Sequence, residues 1–385
     1  MIFKNESNRI VYYNAYSNKI IDEDEALNQA LSSKSEDYFN FLSNGLYTLR
    51  SPGSYKYFNG LAALPPQTTI KIDIENYHII ENIPQYKISP ELRLIHLKNE
   101  IKSVLKKYSG KKIGVELSGG LDSSLVIEAL LALHIDPILI GFCSDSFEFR
   151  TERTIQNYYK KKVSDSILLK YEDNFAFDNL KETPVHPIPV CESHFFQRHK
   201  TVALTAKKMG VDILFSGEAG DQIFGLPINI SSNETIPTEF GYWCLAEHWS
   251  NQYVYEDYEI QYISGLALDA IPSIILSLRN GHKSDPMKLW ARNTFKDCLP
   301  RELSCFAYTA FHDSWVGTGL THASNSIAEI SELAYSKYKI SALKPDTMKN
   351  SAKTYGTFNE EERKYFLANL AFVSWHFALI NKLNL

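Results

Sequence analysis

The chain has 385 residues, of which 44% are hydrophobic and 22% are charged, so it can bury the core of an ordinary globular protein. Its net charge of −5 gives no sign of the basic surface that nucleic acid or an anionic membrane would require. No segment approaches the roughly 18 apolar residues of a membrane span, and the first residues lack a signal-peptide pattern. Five cysteines without a CxxC pair fit reduced thiols, so we predict a cytoplasmic protein without nucleic-acid or membrane partners.

Residues 1–90 predict a small β-rich domain with one early helix, Glu23–Leu31. A Pro-Pro turn followed by period-two alternation in Ala62–Asp73 is typical of a strand. In Ser89–Lys107, a Ser-Pro-Glu start and apolar residues at helical spacing predict a helix. This helix opens the second predicted domain, residues 91–385.

Strands and helices alternate from Lys112 onward. The predicted strands are Ile113–Leu117, Pro137–Cys143, Ser166–Lys170 and Asp212–Phe215, and the predicted helices are Ser123–Leu133, Glu152–Lys162 and Ser193–Gly210. This order predicts an α/β fold in which helices flank a parallel sheet on both faces. After about Gly225 the chain is predicted to be mainly helical, which gives a helical C-terminal half.

A glycine- and serine-rich loop, Ser118–Ser124 (SGGLDSS), lies between the first strand and helix of this domain. Its glycines let backbone amides approach an anion, and the helix N-terminus adds about half a positive charge. Asp122 suits a ligand of the Mg²⁺ that phosphates carry, although an Asp here could equally cap the helix. The loop is neither a Walker motif nor a GxGxxG motif, and its context predicts phosphate binding.

The same loop resembles the pyrophosphate-binding loop of the N-type ATP pyrophosphatases, which split ATP into AMP and pyrophosphate. Within that group the chain resembles the asparagine synthetase-like branch, since Phe215–Gly225 (FSGEAGDQIFG) is similar to that branch's SGEGADELFGG segment. Glu152 and Leu299–Leu303 (LPREL) continue the resemblance. It implies an adenine nucleotide α-hydrolase-like synthetase domain that uses ATP and Mg²⁺.

The resemblance also assigns roles to individual residues. Those expected to hold the pyrophosphate and a Mg²⁺ are Ser118, Gly119, Gly120, Asp122 and Ser123, with Asp221 as the second metal-side carboxylate. Gly217 is expected to let the backbone approach the nucleotide, and backbone groups around Leu117, Gly141 and Phe142 are expected to meet adenine. Glu218 is expected to accept a proton from the attacking amine, although by itself it could be a surface carboxylate in a loop.

Two departures from the resemblance limit what the chain can do. Asparagine synthetases have a glutaminase cysteine at the first mature position, whereas here position 2 is Ile2 and the first cysteine is Cys143. Residues 1–90 are therefore expected to be a truncated glutaminase-like domain without a nucleophile. The family also has a lysine soon after LPxxL, but Leu299–Trp315 contains none, and Lys296 or Arg301 are the candidate replacements.

Relatives without glutaminase activity include the lasso peptide cyclases and the β-lactam synthetases, in which the substrate supplies the amine. The resemblance thus implies a ligase that adenylates a carboxylate and forms an amide or macrolactam, with lasso-type peptide cyclisation the leading case. Its partners would be a peptide substrate and a companion protease or leader-binding protein. The alternatives are a small-molecule acid as substrate, or a non-catalytic nucleotide- or peptide-binding accessory protein. The spacing of His186, His194 and His199 fits no usual metal site.

Overall fold

The computed structural model describes residues 2–5, 11–39, 59–64, 68–72, 77–79, 93–108, 110–175, 177–185, 196–218, 220, 224, 251–266, 288–305 and 313–383. Six short strands near the N-terminus form two antiparallel sheets of three strands each. The first contains β1 (Ile2–Asn5), β5 (Thr68–Ile72) and β6 (Tyr77–Ile79), and the second contains β2 (Val11–Asn14), β3 (Lys19–Ile21) and β4 (Leu61–Leu64). The strand predicted after the Pro-Pro turn of Ala62–Asp73 is confirmed as β5, and β4, which precedes the turn, belongs to the other sheet.

The predicted early helix is confirmed as α1 (Glu23–Leu31). Its N-cap is Asp22, whose side chain accepts a hydrogen bond of 2.8 Å from the amide of Glu25. The buried residues Ala26, Leu27 and Ala30 lie on one face at helical spacing. This face packs the helix against the second small sheet.

Five parallel strands form the central sheet: β7 (Ile113–Glu116), β8 (Ile138–Cys143), β9 (Ser166–Lys170), β10 (Ile213–Ser216) and β11 (Gln261–Ser264). Their spatial order is β11-β10-β7-β8-β9. The chain fills the sheet outward from β7 on one side and then returns to the other side of β7 with β10. The predicted parallel α/β sheet is confirmed, and β11 is an additional strand in a region that the sequence predicted to be mainly helical.

Helices α2 (Arg93–Lys106), α3 (Leu121–Leu131), α4 (Arg150–Lys160) and α5 (Phe196–Lys208) precede or connect the strands β7 to β10. Alternate side chains of the sheet enter two different cores. One core joins Val115 and Phe215 to α3 and α4, and the other joins Ile140 and Leu214 to α5. Helices therefore cover both faces, as a sheet of near-continuous apolar strands requires.

The C-terminal half contains α6 (Leu289–Thr294), α7 (Arg301–Cys305), α8 (Asp313–Tyr338), α9 (Pro345–Thr354) and α10 (Glu360–Lys382). A capping box of Asn359 and Glu362 begins α10. The buried side chains of α8 and α10 share one core with α5 and with the N-terminal residues Leu27 and Tyr38. None of the described helices combines the length and apolar character that a membrane crossing requires.

Candidate active site

The loops that follow β7 and β10 lie side by side because these two strands pair directly, with Phe215 opposite Val115. The strand order reverses between them. Strands β8 and β9 lie on one side of β7, whereas β10 and β11 lie on its other side. Open parallel sheets bind ligands in the crevice at such a reversal, beyond the carboxyl ends of the strands. Both loops singled out from the sequence therefore meet where this fold offers a binding crevice.

The first loop turns from β7 into α3 with its hydroxyl groups converging. The Ser118 and Ser123 hydroxyl oxygens lie 2.9 Å apart, and the Ser118 hydroxyl accepts a bond of 3.1 Å from the amide of Gly120. Gly119 has φ +87°, a conformation that favours glycine, and a Cβ there would lie 2.9 Å from the backbone of Glu152. The loop is thus fixed against the first turn of α4.

The N-terminus of α3 carries no side-chain cap. Its N-cap residue is Gly120, and Asp122 lies inside the first turn rather than at the cap position. The alternative reading of Asp122 as a helix cap is therefore wrong. An uncapped helix N-terminus leaves amide donors and a partial positive charge available to an anion, while Asp122 retains its carboxylate for a cation.

The second loop packs directly on the start of α3. A Cβ on Gly217 would lie 2.5 Å from the amide nitrogen of Ser123. A Cβ on Gly220 would lie 2.6 Å from both Cβ and Oδ1 of Asp122 and closer still to its Cγ. Only residues without a side chain allow the two loops this approach, which explains the glycines of the second loop.

The three residues expected to meet adenine lie at the ends of β7 and β8. Leu117 and Phe142 are buried, and a Cβ on Gly141 would lie 3.0 Å from the carbonyl carbon of Leu117 and closer to its oxygen. The buried Gln156 of α4 donates to the carbonyl oxygens of Phe142, at 2.7 Å, and of Ser118, at 3.3 Å. It joins the two strand ends and fixes the edge of the crevice.

A buried lysine contacts Asp122 of the first loop. The ammonium of Lys288 lies 2.5 Å from Oδ2 of Asp122, and only 10% of the lysine side chain is exposed. Lys288 has φ +53° and is the N-cap residue of α6, so the start of this helix delivers the charge. Lys296 and Arg301, the replacements considered from the sequence, are both exposed, and among the described residues Lys288 is the lysine that contacts the loop.

Glu218 lies on the second loop, and three side chains of the described residues lie next to it. Asn251 donates to its Oε1 at 3.0 Å, and Ser264 at the end of β11 donates to its carbonyl oxygen at 2.7 Å. Nε2 of His199 lies 4.0 Å from the same Oε1. Since only 13% of the Glu218 side chain is exposed, it is not a freely solvated surface carboxylate.

Behind Glu218 lies a buried cluster of polar side chains that the sequence did not predict. The Tyr255 hydroxyl donates to Oε1 of Glu116 at 3.0 Å and also lies 3.0 Å from Nδ1 of His199. The Tyr262 hydroxyl donates to the other oxygen of Glu116 at 3.3 Å. Burial raises the pKa of the Glu116 carboxyl, and the nearby charge of Arg198 opposes that rise.

Asp221, the second predicted metal-side carboxylate, lies outside the described residues. Within the part of the chain that the structure describes, no group of three or more His, Cys, Asp or Glu side chains is arranged to hold a metal ion. Asp122 is the one predicted metal ligand whose position is known. A Mg²⁺ bound there would share the Asp122 carboxylate with Lys288.

Comparisons with known proteins bear on the same segment. Residues 102–229 match the family model of asparagine synthase. The match includes both loops and supports an ATP-dependent ligase of the asparagine synthase type. No curated protein matches. Among solved structures, NMN synthetase from Francisella tularensis is 12% identical, with a TM-score of 0.34, over 72% of this chain and 97% of that one.

Proposed function

We propose that the protein activates a carboxylate as an acyl-adenylate, with ATP and Mg²⁺, and then couples it to an amine carried by the same substrate. The observation that carries this proposal is the contact between the two loops at the strand-order reversal. It juxtaposes an uncapped helix N-terminus and two hydroxyls with Asp122, Lys288 and Glu218. The helix N-terminus, the hydroxyls and Lys288 suit an anion, Asp122 suits a cation, and Glu218 suits a proton.

The first half-reaction uses the groups of the first loop. Serine hydroxyls and the amides at the start of α3 would bind the pyrophosphate portion of ATP, as helix N-termini bind phosphates. Asp122 would hold Mg²⁺, which supplies charge neutralisation to the phosphates when it is bound. Lys288 would stabilise the negative charge that develops on the leaving pyrophosphate.

The second half-reaction uses Glu218. An amine that attacks the acyl-adenylate must lose a proton, and a carboxylate within reach can accept it. Glu218 suits this role because Asn251 and Ser264 hold it on the second loop while little of its side chain is exposed to solvent. Its fixed position disfavours the alternative of a non-catalytic accessory protein, which would have no use for a held base.

Lasso-type peptide cyclisation is the specific reaction that we favour. Ile2 stands where the resembled synthetases have their glutaminase cysteine, which favours an amine carried by the substrate, and a tethered amine has a high effective concentration. The substrate would be a peptide with a side-chain carboxylate and a free N-terminus, delivered with a companion protease or leader-binding protein. Amidation or cyclisation of a small-molecule acid remains the second candidate for the same chemistry.

The test is Mg²⁺-dependent formation of AMP and pyrophosphate from ATP in the presence of two panels of substrates. One panel contains peptides with an internal Asp or Glu and a free N-terminus, and the other contains small acids that carry an amine. We expect one panel to stimulate pyrophosphate release in the wild type, and Asp122→Ala to abolish it while the protein remains folded. Calorimetric binding of Mg²⁺-ATP without acid is expected to weaken in the same variant. Turnover with neither panel would contradict the proposal.

A further inference from the structure

The cluster behind Glu218 joins five polar side chains that come from different elements. Glu116 ends β7, His199 lies in α5, and Tyr255 lies near the end of a helical stretch, residues 251–256. Tyr262 lies in β11, and Glu218 lies on the loop after β10. Glu116, His199, Tyr255 and Tyr262 are all buried. Burying this many polar groups is costly unless each has a partner, so their arrangement requires an explanation.

The imidazole of His199 lies between two carboxyl groups. On one side Nε2 faces Oε1 of Glu218 at 4.0 Å. On the other side Nδ1 lies 3.0 Å from the Tyr255 hydroxyl, which in turn donates to Glu116. The two tyrosine rings are stacked with centroids 3.9 Å apart, and His199 meets both of them edge-on. The ring therefore has a fixed plane, with Nε2 facing the Glu218 carboxylate and Nδ1 facing the Tyr255 hydroxyl.

Charged and titratable groups from several elements surround the imidazole of His199. Among the described residues these are Glu116, Glu218, Arg198 and the two phenols, and the charge of Arg198 lies near Glu116. Burial raises the pKa of both phenols, so they stay neutral. The carboxylate of Glu218 and the imidazole of His199 are neighbours that can share a proton.

We propose that His199 is the positioning residue of Glu218, and that the two act as one proton-accepting pair during amide formation. This role rests on the proposed function. As the amine attacks, the C–N bond forms, and the bond between the carbonyl carbon and the AMP oxygen breaks with its electron pair leaving on AMP. The amine proton passes to Glu218 and is shared with Nε2 of His199. Nδ1 keeps its contact with Tyr255, and Glu116 balances the imidazolium.

Nε2 of His199 and Oε1 of Glu218 are 4.0 Å apart. This distance is compatible with a shared proton, because catalytic hydrogen bonds are often long before substrate binds and shorten in the complex. A histidine that is anchored on its far side by a hydroxyl and a carboxylate has a fixed orientation, as in triads that activate a nucleophile. His199 does not touch the first loop in any described contact. Its loss should therefore affect the amide step and spare adenylation.

The experiment measures the two half-reactions separately with the acid that supports turnover. ATP–pyrophosphate exchange reports adenylation, and the mass and rate of the coupled product report amide formation. We expect His199→Gln and His199→Asn to lower amide formation about 10- to 100-fold while exchange stays within about 3-fold, a size typical of general acid–base catalysis. A Gln amide can replace Nε2 and an Asn amide can replace Nδ1, but neither can take up a proton. A merely structural role would be rescued by one of them.

A matched pair of tyrosine variants tests the anchor. Tyr255→Phe and Tyr262→Phe each remove one buried hydroxyl that donates to Glu116, but only Tyr255 also has a hydrogen bond of 3.0 Å to His199. We expect the amide step to fall about 5- to 10-fold more in Tyr255→Phe than in Tyr262→Phe, with exchange and thermal stability similar in both. Equal effects of the two tyrosine substitutions, or full activity in His199→Gln or His199→Asn, would overturn the pairing and leave the proposed function intact. No exchange in the wild type would overturn both.

Discussion

One histidine is buried at the carboxyl end of the parallel strands, which we call the sheet edge, and another is buried among the C-terminal helices. The groups that contact the two histidines differ. His199 at the edge has a hydroxyl at one ring nitrogen and a carboxylate oxygen facing the other. His376 in α10 is 1% exposed and packs between the rings of Tyr338 and Trp375. Its Nδ1 has no hydrogen-bond partner among the described residues. Burial alone therefore does not distinguish a functional histidine from a core one.

The hydrogen-bond and packing partners distinguish His199 from His376. At the sheet edge the polar groups hold one another in a defined order from Glu116 to Glu218, and glycines bring the loops together. In the helical half, aromatic packing surrounds the histidine, and burial followed by the charge of Lys337 lowers the pKa of His376 to about 3. Changes at the edge should thus alter chemistry more than stability, and changes in the helices should alter stability alone.

The largest effect is expected from Gly217→Ala. The added methyl group would lie 2.5 Å from the amide nitrogen of Ser123, so the second loop and the start of α3 must separate. A displacement of about 1 Å at a catalytic site can lower the rate by about 100-fold, and we expect ATP–pyrophosphate exchange to fall by that order. The overpacking should lower the free energy of unfolding by about 1–3 kcal/mol.

Gly356→Ala is the matched control for Gly217→Ala. Gly356 lies in the helical half, and nothing lies within 4 Å of the position that its Cβ would occupy. Exchange and the midpoint of urea unfolding should therefore match those of the wild type. If Gly217→Ala retained full exchange, the two loops would not form one site, and the contrast between the two regions would fail.

The next largest effect is expected from Lys288→Met, which removes the positive charge beside Asp122 and keeps most of the side-chain volume. Removing one preorganised charge-stabilising group typically costs about 10²–10³ in rate, and we expect exchange to fall about 100-fold. Lys288→Arg should retain part of the activity because the charge persists. Calorimetry of Mg²⁺ binding without nucleotide gives a second readout, since the metal then no longer competes with an ammonium for Asp122.

Lys296→Met and Arg301→Met provide the controls for Lys288→Met. Both residues are exposed and lie in the same part of the chain. Each substitution should change exchange less than about 2-fold, as surface substitutions usually do little. A loss in either control that equals the loss in Lys288→Met would mean that the overall positive charge of this region matters, and not the ion pair with Asp122.

The first loop and Lys288 also show what the sequence can and cannot predict. The first loop was predicted together with its flanking strand and helix, because the glycines, serines and helix start all lie within one short segment. The start of α3 was placed at Ser123 and lies at Leu121, an error of the usual size for helix ends. Strand β11 was missed because Gln261–Ser264 is short and follows a helical stretch.

The site residues that the sequence did not predict are brought together by contacts between distant parts of the chain. Lys288 lies 166 residues from Asp122, and the two meet only because α6 begins beside the loop. Nothing in the residues around Lys288 marks it out. Glu116 did give a signal, since a carboxylate in an apolar strand directly before a phosphate loop must be buried and partnered. The sequence could not supply its partners, because the positions of Tyr262 and Tyr255 depend on β11 and on the helical stretch that precedes it.

The smallest effect is expected in the helical half, as a change in the pH dependence of stability. An unfolded chain protonates a histidine below about pH 6.5, whereas the pKa of His376 in the folded protein is lowered to about 3. Between these values only the unfolded state binds the proton, so stability falls as the pH falls. The slope approaches about 1.4 kcal/mol per pH unit, and the loss between pH 7 and pH 5 is about 2 kcal/mol.

His376→Gln should remove this contribution, because Gln takes up no proton in either state. We expect urea unfolding of the variant to lose about 2 kcal/mol less than the wild type between pH 7 and pH 5, with parallel curves above pH 7. His322→Gln is the control, since His322 lies on α8 with 61% of its side chain exposed. Parallel curves for wild type and His376→Gln down to pH 5 would show that the folded protein protonates His376 readily. The helical half would then hold a histidine as responsive to protons as the one at the sheet edge, and the contrast between the two regions would rest on Glu218 alone.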